Sequence, residues 1–337
     1  MLPAVRKTMA EAWGLWANAS SPHAEGRAAR AALEDARGRI KAALGWSDEV
    51  VFTSGATEAI TIALTRSTAD AVFVSATEHD AVHRVVPNAY FLPVEADGRV
   101  SPDALTGRLA ALAAARPLVA IQAVNNETGV QQPLDRLIPI IRKAGGIAFV
   151  DCAQSAGKLD LPDADMIAIS AHKFGGPPGV GALLVRDLGV LTATGGQERG
   201  YRAGTENLPA VLGMAAALEA NRGWLARAGD LRAHLDGAIE AAGGKVVARD
   251  APRLATIASY HMPGMAANTQ LIQFDMAGIS VSAGSACSSG SLRPSHVLAA
   301  MGWDEKAASE VVRVSFGPDT TRADVYRFIE AWKRIRK

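Results

Sequence analysis

Short runs of apolar residues recur along the chain, each stopped by polar or glycine-rich positions. The runs cover 50–53, 71–75, 118–124, 146–150, 166–170 and 180–185. They are apolar throughout rather than alternating, which predicts strands covered on both faces of a mostly parallel sheet. Between them lie stretches with helical composition. Residues 24–44 carry Ala, Leu, Arg and Glu without proline, and Gly45 follows as a stop signal. A helix-like stretch starts at Glu58 after the break at Ser54-Gly55-Ala56-Thr57. Alternating strands and helices predict an α/β fold. Beyond about Gly200, residues 208–235 read as one long helix and 253–337 as a smaller α/β unit.

Polar residues gather just after the strands: Thr57, His79, Asn126, Asp151 with Gln154, and His172 with Lys173. Open α/β sheets bind ligands at the carboxyl ends of their strands, so one shared site is expected there. Lys173 ends a strand and runs into Gly175-Gly176-Pro177-Pro178-Gly179. A lysine desolvated at such a mouth is freed to attack an aldehyde; taken alone it also reads as a surface lysine beside a loop. Asp151 closes an apolar strand, where a carboxylate is costly unless paired. It suits the acid that keeps a pyridine nitrogen protonated, or a helix N-cap. Ser54-Gly55-Ala56-Thr57 outlines a phosphate cradle between strand and helix. His79 in Thr77-Glu78-His79-Asp80 reads as a ring-stacking histidine or a loop residue. The amides of Asn125-Asn126-Glu127-Thr128-Gly129 read as ligand-binding or as a turn.

Composition narrows the class. At 337 residues the chain is long enough for two domains. With 49% hydrophobic and 20% charged residues it reads as an ordinary soluble globular protein. A net charge of +1 gives no reason to expect nucleic acid or an anionic membrane surface. The basic close at Lys333, Arg334, Arg336 and Lys337 reads as the solvated end of a last helix. No signal peptide and no apolar stretch long enough to span a bilayer is seen. The two cysteines, Cys152 and Cys287, make no disulfide framework and no metal site, which fits a reducing cytosol. Their surroundings differ. Cys287 sits among small residues, Ser285-Ala286-Cys287-Ser288-Ser289-Gly290, and reads as an accessible thiol. Cys152 directly follows the strand-end aspartate and reads as a small packed residue.

Taken in order, these segments resemble the NifS/IscS-like cysteine desulfurases, within the class V aminotransferase group of fold-type I pyridoxal-phosphate (PLP) enzymes. The likeness is carried by 52–58, 77–82, Asn125–Gly129, Asp151-Cys152-Ala153-Gln154-Ser155-Ala156-Gly157-Lys158, 170–173, 195–198, Arg202-Ala203-Gly204-Thr205-Glu206-Asn207, the Cys287 segment and 309–317. It implies a large PLP-binding domain over 14–225 with a mostly parallel seven-stranded sheet, and a small α/β domain from 1–13 and 226–337. It implies that Lys173 carries PLP as a Schiff base and moves protons, that Asp151 pairs with the pyridine nitrogen, and that His79 stacks on the ring and acts as acid or base. Asn126 and Gln154 would bond the ring hydroxyl. The Ala56 backbone, Thr57, Ser170 and His172 would hold the phosphate. Thr205 would reach the phosphate of a partner subunit in a homodimer. Arg313 would grip the carboxylate of L-cysteine, as a fork of parallel donors does. Cys287 would take the sulfur as a persulfide and release alanine, supplying iron–sulfur or thio-cofactor synthesis through an acceptor or scaffold protein. Family members usually open with a Leu-Asp-x-x-Ala-Thr-Thr strand; this chain begins near the following Pro-x-Val stretch, at Pro3-Ala4-Val5, so that strand is expected to be missing. Other class V PLP enzymes, an aminotransferase or a selenocysteine lyase, and an inactive truncated scaffold stay open as alternatives.

Overall fold

A computed structural model describes residues 1–112, 114–284 and 295–336. The chain divides into two compact units.

The first unit holds residues 1–92, 102–123 and 133–221. Its strands are β1 (Glu49–Thr53), β2 (Ala71–Ser75), β3 (Tyr90–Leu92), β4 (Pro117–Gln122), β5 (Ile147–Asp151), β6 (Met166–Ser170) and β7 (Gly181–Val185). They form one seven-stranded sheet in the order β1-β7-β6-β5-β4-β2-β3. Pairings from β6 through β3 are parallel, and β7 runs antiparallel to both its neighbours. The mostly parallel sheet expected from unbroken apolar runs is therefore present. Strands β4 to β7 are buried at every position, as a sheet covered on both faces requires.

The helices of this unit are α1 (Pro3–Gly14), α2 (Ala24–Leu44), α3 (Ala56–Arg66), α4 (Asp80–Val85), α5 (Pro102–Leu112), α6 (Leu134–Lys143) and α7 (Leu208–Leu218). Helix α2 has the predicted bounds, and Gly45 closes it in the left-handed conformation at φ 64°. Two expectations are corrected. Strand β3 was not expected; it is only three residues long and two of them are exposed, so no apolar run marks it. The single helix expected over 208–235 is two helices. It breaks after Glu219 at Asn221-Arg222-Gly223, residues that favour helix ends, and α8 (Trp224–Ala241) belongs to the second unit.

The second unit holds residues 93–101, 124–132 and 222–337. After α8 come β8 (Lys245–Val246), β9 (Ile257–His261), α9 (Ala267–Met276), β10 (Ser282–Ala283), α10 (His296–Ala300), α11 (Glu305–Ala308), β11 (Val311–Ser315) and α12 (Arg322–Ile335). Its strands pair antiparallel in the order β10-β11-β9-β8. Helix α12 starts with a capping box between Thr321 and Asp324 and buries Phe328 and Trp332 against Tyr260 and Phe274. Residues 1–13, expected with this unit, instead lie in the first, where α1 packs on α7. Residues 93–101 and 124–132, expected in the large domain, group with the second unit.

Candidate functional site

In the first unit the expected polar residues gather at the strand ends. Lys173 sits on a single 3-10 turn, Ala171–Phe174, directly after β6; Gly175 ends it at φ 90°. Its neighbour His172 bonds Ser170 through Nδ1 and Oγ at 3.0 Å. Ser170 lies against the start of α3, where Gly55 has φ 153°, a conformation open mainly to glycine. A Cβ added at Gly181 would stand 2.8 Å from the Gly55 Cα and 2.3 Å from the Ile169 carbonyl oxygen. Only a glycine on β7 lets this turn lie so close to the sheet. Ala56 and Thr57 form the first turn of α3, whose N–H groups have no partner within the helix. Exposed Thr57 and His172, with buried Ser170 between them and the sheet, thus surround a helix N-terminus, a donor set that fits a phosphate ester.

Asp151 ends β5 and is 7% exposed. Its Oδ1 accepts from the Ala153 amide at 2.8 Å, which makes a local turn and not a helix cap. Burial pushes its carboxyl upward, opposed by that amide and by the charges of His79 and Lys173. His79 caps α4, its Nδ1 accepting from the Ala81 amide at 3.1 Å, so a neutral ring carries its proton on Nε2. Asp151, His79 and Lys173 are therefore brought within electrostatic reach of one another. Gln154 lies in the turn after Asp151, where its carbonyl accepts from Lys158 Nζ at 2.9 Å. Thr205 is exposed in the turn before α7.

Three residues of the first unit were not singled out beforehand. Glu78, one residue before His79, is fully buried; its Oε1 accepts from the Gln122 amide at 2.8 Å, and burial with Asp151 nearby holds its carboxyl well above the usual range. A carboxylate three residues past the apolar run 71–75 is the available signal. Lys158 is pulled down to about 8 by burial and by Lys173. The burial expected at Lys173 is thus found at Lys158, while Lys173 itself is exposed. Glu198 is buried and accepts both from Arg37 and from the Phe52 amide at 2.8 Å. Cys152 is fully buried, which lifts its thiol to about 12 and leaves it inert as expected.

In the second unit, Arg313 lies in the middle of β11, half-buried. It donates from Nη1 to the Asn126 carbonyl and from Nη2 to Ser282 Oγ, both at 3.0 Å. Its Nε is buried without a partner among the described residues. Burial lowers its pKa, and the Glu127 carboxylate opposes that. Asn126 sits in a turn closed by Asn125, whose Oδ1 accepts from the Glu127 and Thr128 amides. Cys287 lies outside the described residues. Among the described residues no His, Cys, Asp and Glu cluster suits a metal, and no helix is long and apolar enough to cross a membrane.

A family model described as aminotransferase class-V matches residues 2–328. A cysteine desulfurase of Gluconacetobacter diazotrophicus is 36% identical, the match covering 94% of this chain and 86% of the relative. The cysteine desulfurase IscS of an Anaeromyxobacter strain is 37% identical over 95% of this chain and 85% of its own length. Among solved structures, a NifS-like protein from Rickettsia africae superposes with a TM-score of 0.91 at 28% identity, covering 99% of this chain and 96% of that one.

Proposed function

The chain belongs to the class-V aminotransferase family, among its NifS/IscS-like cysteine desulfurases, and we infer that it binds PLP and removes sulfur from L-cysteine. One observation carries the reading: a buried acid, Asp151, faces Lys173 and His79 beside a helix N-terminus ringed by Thr57, Ser170 and His172. That donor set fits both the phosphate and the ring of PLP. When bound, PLP supplies the electron sink that lets the Cα proton of cysteine leave.

The chain's own residues have these proposed roles. The Lys173 amine holds the cofactor's aldehyde carbon and then carries the proton taken from Cα. Asp151 keeps the ring nitrogen protonated; a carboxylate there is favoured by an adjacent cation despite its burial. His79 packs its ring on the cofactor, with Nε2 positioned to give or accept a proton. The Ala56 backbone, Thr57, Ser170 and His172 hold the phosphate, and exposed Thr205 reaches the phosphate of a second copy in a homodimer. Asn126 and Gln154 bond the ring hydroxyl. Arg313 binds the carboxylate of cysteine with the donors that Asn126 and Ser282 leave over. The Cys287 thiolate would attack the substrate sulfur; the Cβ–S bond breaks with its electron pair going to Cβ, which then takes up a proton from an acid in the site such as His79, and alanine leaves with the persulfide left on Cys287. The persulfide on Cys287 then goes to an acceptor that builds iron–sulfur clusters or thio-cofactors, in a reducing cytosol.

Reconstitution with PLP tests the cofactor half. The wild-type protein gains a visible absorbance band, and Lys173→Ala does not gain the band of a lysine-bound cofactor. A Lys173→Ala protein with an unchanged band contradicts the assignment.

A further inference from the structure

Glu127 is 7% exposed, yet its carboxylate has no place in the roles above. Its surroundings are specific. Ser295 donates from Oγ to Glu127 Oε2 at 2.5 Å and accepts on the same oxygen from the Leu298 amide at 3.0 Å. A hydroxyl has one proton, so the Leu298 bond leaves that proton committed to Glu127. The Glu127 backbone is held as firmly. Ser259 Oγ donates to its carbonyl at 2.7 Å, and Ser259 is the β9 residue directly across from Arg313. On the other side of β11, Arg313 pairs with Ser282, which accepts from its Nη2. Its Nη1 donates to the carbonyl of Asn126, one residue before Glu127. The guanidinium is therefore held by Ser282 of β10 and by the Asn126 carbonyl, and the turn that carries that carbonyl is itself tied to β9 through Ser259. A small cleft here is lined by Glu127, Thr128, Ser259, Gly284, Leu298 and Arg313.

We propose that Glu127 is a positioning residue for Arg313: fixed by Ser295 at its carboxylate and by Ser259 at its carbonyl, it holds the guanidinium ready to select substrates that carry a carboxylate. The proposal rests on Arg313 binding the carboxylate of cysteine. A half-buried guanidinium whose Nε has no partner among the described residues gains from a fixed counter-charge, since a buried cation left alone is penalised. Without that counter-charge the fork loses its fixed direction, and a two-pronged bond to a planar carboxylate depends on direction.

The test uses the PLP-loaded full chain and two ligands, L-cysteine and cysteamine, which has the same amine and thiol but no carboxylate. Binding of each is read from the change in the visible band. Wild type prefers L-cysteine, and Arg313→Ala removes that preference. Glu127→Gln lowers the preference by about tenfold, the scale of losing one nearby opposite charge, with the affinity for cysteamine unchanged. Ser295→Ala, which leaves the charge in place, lowers it by a smaller factor and carries the test if Glu127→Gln does not fold. Thermal midpoints of the cofactor-free proteins report folding separately. Variants that keep the wild-type preference, or that weaken both ligands equally, overturn the proposal. A wild type with no band, or with no preference for L-cysteine, overturns the assignment of PLP or of Arg313 themselves, and is seen before any Glu127 variant is made.

Discussion

A lysine ammonium packed among other bases works against the fold, and Lys158 is such a group. Burial and Lys173 hold it near pH 8, below the ordinary 10.5. For a base lowered in the folded state, the unfolded chain holds more protons between the two values. Stability therefore rises with pH from about 8 to 10.5, and the penalty is complete below 8. Lys158→Met removes the charge and loses the bond to the Gln154 carbonyl. Allowing for that bond and for partial exposure, the cofactor-free variant is more stable than wild type by about 1–2 kcal/mol at pH 7. The advantage shrinks toward pH 10, as urea midpoints at the two pH values will show; a difference independent of pH contradicts the account. At this scale the sequence was informative where a polar residue closes an apolar run. Asp151, His79 and Lys173 were found that way. Glu78 and Glu127 also lie just past apolar runs, but the sequence does not distinguish them, because only burial and partners separate such a carboxylate from a turn residue.

A buried ion pair far apart in sequence ties α2 to the segment before α7. Arg37 on α2 grips Glu198 with Nη1 and Nη2 at 2.8 and 2.9 Å, stacks over Phe52 of β1, and Glu198 also accepts from the Phe52 amide. The Glu198 side chain is 1% exposed and that of Arg37 11%. Removing Glu198 leaves Arg37 with only half-exposed Glu34 and the Val50 carbonyl, so Glu198→Ala costs about 2–4 kcal/mol. Chemical denaturation measures this, and a loss below about 1 kcal/mol would mean that water reaches Arg37 freely. Helix α2 was legible to its last residue because composition, length and Gly45 agree. The break between α7 and α8 was not, since helical composition continues on both sides of Asn221-Arg222-Gly223. Strand β3 was missed because it forms only through pairing with β2.

Each of the two units has its own core. One packs around Phe149, Val74, Ile60 and Leu183, the other around Trp332, Tyr260, Phe274 and Phe328. Trp332→Ala deletes a fully buried ring at a cost of about 3–5 kcal/mol. Hydrogen exchange then speeds up at β9 and β11, while β5 and β6 keep their protection; equal loss in both sheets contradicts separate cores. The α/β class and the parallel sheet were legible from unbroken apolar runs. The division was less so: residues 93–101 and 124–132 join the second unit without any linker-like composition to announce it.

The most direct measurement is a single turnover of the PLP-loaded protein with L-cysteine and no reductant, followed by mass analysis of the peptide that contains Cys287. The expected result is one added sulfur atom on Cys287, one alanine formed per sulfur gained, and neither product in Cys287→Ser. Alanine formed in Cys287→Ser at the wild-type rate, or sulfur found on Cys152 instead, contradicts it.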